Sequence, residues 1–343
     1  MSWVETELRE QPEALARLLT LEEETARTIA GQLGDVEYVF IASRGSSSNA
    51  ARYAQYVFGT VNRLPVAFAT PSLYTLYGAP PRLAGAFAIA ISQSGASPDV
   101  VAVLAEARRQ GRPTLAITND PASDLAQTAD WVLPLHAGEE RAVAATKTYA
   151  SSVAAVALLS AALTGDDRRL EDLRAAPAVV AEQIERSLAD APQLDRYRHV
   201  DGGTVVARGV NYGTAFEIAL KIRELSGAPF EPFSSADLMH GPIAGLHADR
   251  PVIVVAPSGP ALESLRGFLG KLHELGLTII GISDDEDVLA ASETALPLVG
   301  RVPEWLSPLV TVVPGQIAAV RLAMLAGADV DRPAGLTKVT LTR

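Results

Sequence analysis

The chain contains no cysteine among its 343 residues. Disulfides, thiolate metal sites and a cysteine nucleophile are therefore excluded. Basic charge is scarce: 29 lysines and arginines stand against 40 aspartates and glutamates, a formal net charge of −11. A surface of that sign disfavours nucleic acid and anionic membranes as partners. No pair among the five histidines has metal-ligand spacing, so no metal is expected, and no other cofactor. Long apolar runs are missing too. The longest nearly apolar stretch, SSVAAVALLSAAL at 151–163, is shorter than the roughly 18 residues of a membrane span and reads as a buried helix. The opening MSWVETELREQPEAL is acidic and polar. It has no signal-peptide core, and a cytoplasmic location is expected.

What is present is one pattern written twice. EYVFIASRG ends at Gly45 and GGTVVARGV contains Gly209; fifty residues after each glycine a strand-like run ends in Ser-Gly, FAIAISQSG at Gly95 and VIVVAPSG at Gly259. The copies are 164 residues apart at both points, and AITND (116–120) against GISDD (281–285) and VLPL (132–135) against ALPL (295–298) continue the echo. In the first copy YVFIAS, PVAFAT, FAIAIS, TLAIT and WVLPL read as strands, with QYVFGTV, PDVVAVLAEARRQG and SDLAQTA as helices between them. Continuous apolar strands alternating with helices indicate a parallel sheet covered on both faces, so the fold class is α/β: two doubly wound, flavodoxin-like sheets related by duplication. The expected divisions are a helical arm over 1–34, a first domain over 35–165, a helical connection over 166–197, a second domain over 198–325, and an irregular tail over 326–343 with a short extended end.

In such sheets ligands sit beyond the carboxyl ends of the strands, where helix N-termini point. The strand ending at ISQSG runs into Ser92, Gln93, Ser94, Gly95 and Ser97 before a helix beginning near Pro98. That arrangement offers hydroxyl and amide donors and the positive end of a helix dipole to an anion. A second hydroxyl cluster, SRGSSSNA at 43–50, follows the first strand. The plainer alternative is N-capping by Ser97 with incidental turn serines. Two clusters at one sheet edge favour a phosphate site, and helix termini can supply its field without Lys or Arg. The loop VVAPSGPALE in the second copy lacks the serine pair and is not expected to hold a second phosphate.

The second copy differs at 215–246. In AFEIALKIRELSG, Glu217, Lys221 and Glu224 form one stripe of a helix whose remaining circumference is largely apolar. Such a helix is buried, and its charged stripe should face a cleft. The alternative is an intrahelical ion-pair ladder on a partly solvated face. His240 lies in DLMHGP, near a loop tip; His136, His199, His247 and His273 receive no role.

Taken together, ISQSG, VAATK (143–147), EIALKIRELS, DLMHGP and DVDRPAGLTKVT (329–340) resemble the tandem sugar isomerase (SIS) domains of glucosamine-6-phosphate synthase. The resemblance covers nearly the whole chain, in order, and is closest to the stand-alone glucosamine-6-phosphate deaminases of the family. It implies that Ser47, Ser92, Gln93, Ser94, Ser97 and Val143 hold the sugar phosphate in the first domain. Glu224 would move a proton between C1 and C2, and His240 would assist ring opening from the neighbouring subunit of a homodimer. Lys338 would engage the open-chain carbonyl, and Lys221 lies one turn before the base. Two departures are visible: Ala145 stands where relatives carry serine, and Met239 replaces a lysine. The chemistry suits these residue types. One carboxylate on a rigid helix can serve two adjacent carbons, imidazole titrates in the right range for ring opening, and an amine on a mobile tail can attack a carbonyl.

Glutamine-dependent relatives release ammonia with an N-terminal cysteine, which this chain lacks. Free ammonia at neutral pH is almost all ammonium, so mass action favours deamination of glucosamine 6-phosphate to fructose 6-phosphate. Ammonia-dependent synthesis, a fructosyl-amine-phosphate deglycase and a non-catalytic sugar-phosphate sensor are the alternatives.

Overall fold

The computed structural model describes residues 2–338. Residues 1 and 339–343, which include the expected extended end of the tail, lie outside them. The chain opens with α1 (Trp3–Arg9), capped reciprocally by Ser2 and Glu5, and α2 (Gln11–Gln32). Next come β1 (Tyr38–Ser43), α3 (Gly45–Val57), β2 (Val66–Phe68), α4 (Ser72–Thr75), β3 (Ala86–Ile91), α5 (Pro98–Arg109), β4 (Thr114–Thr118), α6 (Asp124–Thr128) and β5 (Trp131–Pro134). Then α7 (Lys147–Thr164) and α8 (Asp167–Asp190) lead into a second series. It comprises β6 (Gly203–Ala207), α9 (Tyr212–Ser226), β7 (Phe230–Ser234), α10 (Ser235–Met239), β8 (Val252–Val255), α11 (Leu262–Glu274), β9 (Ile279–Ser283), α12 (Glu286–Ala290), β10 (Thr294–Pro297) and α13 (Ser307–Leu325).

The sheets have the orders β2-β1-β3-β4-β5 and β10-β9-β8-β6-β7, parallel throughout. Counted from the first strand of its own series, the second order matches the first: both are the doubly wound, flavodoxin-like arrangement expected from the internal repeat. The physical reason was visible in the strands. β3, β4, β6 and β8 are buried along their whole length, which requires apolar residues on both faces.

Two compact units each hold one sheet. The first-sheet unit comprises residues 11–140 and 147–175 with Thr337 and Lys338; the second comprises 2–10, 141–146 and 176–336. In the first, α2 packs along α7, and Phe40, Ala88, Val103, Leu104 and Leu125 lie in the core. In the second, α9 packs along α13. A methyl group on Gly315 of α13 would lie 2.3 Å from Ile218 Cδ1, so glycine is what lets the two helices meet.

Two stretches, Lys147–Thr164 and Glu304–Leu325, are long and apolar enough to cross a membrane, yet 89% and 83% of them are buried inside the protein. Both are core helices. The run at 151–163 is a buried helix as expected, whereas the longer apolar stretch that ends in α13 was not singled out from sequence.

Candidate active site

At the carboxyl edge of the first sheet two loops enter helices side by side. β3 ends at Ile91, and the loop 92–97 is fixed by its own backbone: Gly95 N–H donates to Ser92 O (3.2 Å), Asn119 N–H to Gln93 O (3.0 Å) and Leu125 N–H to Gly95 O (3.1 Å). Gly95 adopts φ +61, and a methyl there would lie 2.0 Å from Ser123 Oγ. Both conformation and space demand glycine. Ser92 Oγ accepts from Gly95 N–H (3.2 Å) and Ser94 Oγ from Ala96 N–H (3.3 Å). Each hydroxyl thus keeps its own proton to donate. Ser97 is the N-cap of α5, yet its side chain makes no capping bond. Gln93, Ser97 and Ser47 are half-buried, and their side chains have no hydrogen-bond partner among the described residues. Ordinary N-capping therefore does not account for Ser97.

The adjoining loop carries a cation. Arg44 precedes α3 in extended conformation, and its Nε and Nη2 donate to Asp99 Oδ2 at 2.9 and 2.6 Å. Asp99 is the second residue of α5, with its side chain 2% exposed; that of Arg44 is 50% exposed. The two loops are thereby tied across the ends of their helices.

A second ionic contact in this unit involves the tail. Lys338 Nζ donates to Glu140 Oε2 at 2.7 Å. The Glu140 side chain is fully buried; it also accepts from Thr148 N–H (3.1 Å) and Thr148 Oγ1–H (2.7 Å), at the start of α7. Val143, in the second-sheet unit, is half-buried. The backbone just before it is held by Glu7 of α1, which accepts from Arg141 N–H (2.5 Å) and Ala142 N–H (3.3 Å).

The charged row of the second-sheet unit lies on α9, which starts after a turn at Gly209–Asn211 and stops at Gly227, φ +75. Glu217 and Lys221 are fully buried and 3.6 Å apart. Lys221 Nζ also donates to Glu224 Oε2, and the Glu224 side chain is 24% exposed. The ion-pair ladder is real, but burial rather than solvent surrounds its first two members. Glu224 alone reaches the surface. His240 follows α10 on an exposed turn, its N–H bonded to Asp237 O (3.1 Å), with Gly241 at φ +131. Among the histidines left without a role, His136 pairs with Glu22 (2.5 Å) and His273 bonds Ala291 O (2.8 Å).

The structure thus gathers Ser92, Gln93, Ser94 and Ser97 on one loop and Ser47 in the first turn of α3 at the same sheet edge, joins Lys221 to Glu224, and leaves His240 exposed. Three partners were not singled out from sequence: Arg44, Asp99 and Glu140. Arg44 was legible as a lone arginine directly before a helix in a hydroxyl cluster, and Glu140 as a carboxylate shortly before a helix start. Their partners were not.

Comparison with known proteins identifies a family for the chain. The SIS domain family model matches residues 32–162 and 204–326. Glutamine–fructose-6-phosphate aminotransferase [isomerizing] of Thermus thermophilus is 34% identical over 97% of this chain, and that of Zymomonas mobilis 30% identical over 98%. The chain spans 57% and 58% of the length of these two relatives. Among solved structures, a protein from Silicibacter pomeroyi provisionally assigned as a phosphosugar isomerase superposes with a TM-score of 0.87 at 31% identity, over 96% of this chain and all of that one. Glucosamine-6-phosphate deaminase of Thermotoga maritima shares the fold, with a TM-score of 0.81 at 21% identity over 99% of this chain and all of that one.

Proposed function

As the chain belongs to the SIS domain family, we propose that it is a phosphosugar enzyme that deaminates glucosamine 6-phosphate to fructose 6-phosphate and ammonia. The observation that carries this reading is Glu224: a carboxylate at the surface, on a rigid buried helix, held by a buried lysine. A sensor needs a phosphate cradle but no such base.

The cradle is the edge of the first sheet. Hydroxyl protons of Ser47, Ser92, Ser94 and Ser97, the Gln93 amide and the N-terminus of α5 are donors suited to a phosphate dianion. Once the sugar ring is open, Glu224 removes the C2 proton, giving an enol amine, and returns it to C1. The nitrogen is then on C2 as an imine; water adds, and ammonia leaves as the C2 ketone forms. One carboxylate suffices for both transfers because the carbons are adjacent. Lys221, donating to Oε2, holds the carboxylate in place on the helix. His240, exposed on its turn, is suited to ring opening in a second copy of the chain, and Lys338 to engaging the open-chain carbonyl.

Purified protein incubated with glucosamine 6-phosphate should release ammonia and fructose 6-phosphate in equal amounts. Tight binding of sugar phosphates with no turnover would instead support the sensor reading. If Glu224→Gln and His240→Ala chains are each inactive, verified hybrids of the two should regain part of the activity. Hybrids that stay inactive would place both residues in one subunit's site.

A further inference from the structure

The contact between Arg44 and Asp99 is difficult to explain as surface decoration. Asp99 stands in the first turn of α5, where an acidic side chain competes with any external anion for the same unpaired N–H groups and the same dipole. Its carboxylate is 2% exposed. Oδ1 accepts from Val100 N–H (2.9 Å), and Oδ2 takes both Arg44 contacts. A carboxylate without a counter-ion here would repel a phosphate dianion arriving at Ser97, two residues before it.

We propose that Arg44 is the built-in counter-ion of Asp99, and that by cancelling this charge it makes the N-terminus of α5 receptive to the phosphate of the substrate. The inference rests on the phosphate-cradle reading above and concerns what tunes that cradle. Arg44 is suited to the task by position and shape. It sits directly before α3, so the pair also fixes the first turn of α3, where Ser47 lies, against the α5 loop. The guanidinium is a planar fork that commits two of its five N–H groups to Asp99 and is always charged. Its half-exposed side chain leaves the pair weakly screened on the Asp99 side and hydrated on the other. Arg44 acts through Asp99 and is a positioning residue, not a catalytic one.

The test is binding of fructose 6-phosphate and of inorganic phosphate to the full chain by calorimetry, with no turnover required. Arg44→Met should weaken both by about 10- to 100-fold, the scale of one unit charge acting across a partly screened site. Adding Asp99→Asn to that variant should restore most of the loss, because no charge then remains to cancel. Asp99→Asn alone should bind at least as tightly as the parent, with a steeper loss of affinity as salt is raised. Wild-type affinity in Arg44→Met overturns the inference, as does a double variant no better than Arg44→Met. Should Arg44→Met fail to fold, weakened binding by Asp99→Asn alone overturns it as well. A parent protein that binds neither probe removes the phosphate-cradle reading itself, and the inference with it.

Discussion

At the edge of the first sheet, Gly95 is followed by Ser97, whose hydroxyl is left unused by the helix it precedes. At the equivalent edge of the second sheet, Gly259 and Gly209 both face the protein's own Glu304. A methyl on Gly259 would lie 2.4 Å from Glu304 Cγ, and one on Gly209 3.6 Å from Glu304 Oε1. One copy offers donors to an external anion; the other has packed an internal carboxyl against its corresponding glycines. The serines followed the same divergence, since VVAPSG lacks the pair found in AISQSG. Duplication supplied two similar edges. Under the proposed function, the first edge binds the phosphate and α9 of the second copy carries the base.

The largest effect that could break this division is at the base. Glu224→Gln preserves shape but cannot accept a proton, so kcat should fall by about 10²–10⁴. Affinity for fructose 6-phosphate should hold, because the cradle belongs to the other copy. Exchange of the substrate C2 proton with deuterated solvent should fall in parallel. Full activity and exchange in the variant would remove Glu224 from the mechanism.

Next comes Lys221, whose role is both structural and electrostatic. Lys221→Met takes a buried cation from between two carboxylates, one of them fully buried. Breaking buried pairs of this kind costs about 3–5 kcal/mol, measurable by urea unfolding. A variant of unchanged stability would mean that the row is solvated and that α9 is not the buried scaffold described above.

At the cradle the signature should reverse. Ser97→Ala and Ser94→Ala each remove a hydroxyl from an anion site. A hydrogen bond to a charged group contributes about 1.5–3 kcal/mol, so the dissociation constant for fructose 6-phosphate should rise roughly 10- to 100-fold. Ser258→Ala, in the second copy, should change it by no measurable amount. Equal losses in both copies would contradict the asymmetry.

Much of this was legible in the chain, and the limits have a physical cause. Parallel strands covered on both faces must be continuously apolar, so YVFIAS, FAIAIS, TLAIT and their echoes gave themselves away. The helix read at QYVFGTV was less accurate. α3 begins at Gly45, inside the hydroxyl cluster, and QYVFGTV is where it loosens into wider turns at Phe58–Asn62. Serine favours caps and turns, which disguised the first turn of α3 as a loop. The row on α9 could be read because its spacing is local. Arg44 with Asp99 and Lys338 with Glu140 are 55 and 198 residues apart in sequence, and no periodicity brings such partners together. Only the fold does.

The smallest effect tests the second edge directly. Burial raises the Glu304 carboxyl pKa above its ordinary value of 4.5, and desolvation is the sole cause. A raised folded-state value means that the folded protein holds this proton more tightly than the unfolded chain. Its contribution to stability is therefore fully present below about pH 4.5 and is lost as the pH rises through the folded value. At neutral pH the folded protein must either carry a half-buried charge or hold a proton that the unfolded chain has released, and either costs stability. Glu304→Gln keeps the side chain's length against Gly209 and Gly259 and abolishes the titration. It should raise Tm at pH 7 by an amount on the order of a degree or two, with no gain at pH 4, where the parent carboxyl is already neutral. The same gain at both pH values would assign the effect to packing. A loss at pH 7 would show that Glu304 is held there as an anion, in which case the second edge has kept the anion preference of the first and merely binds its own side chain.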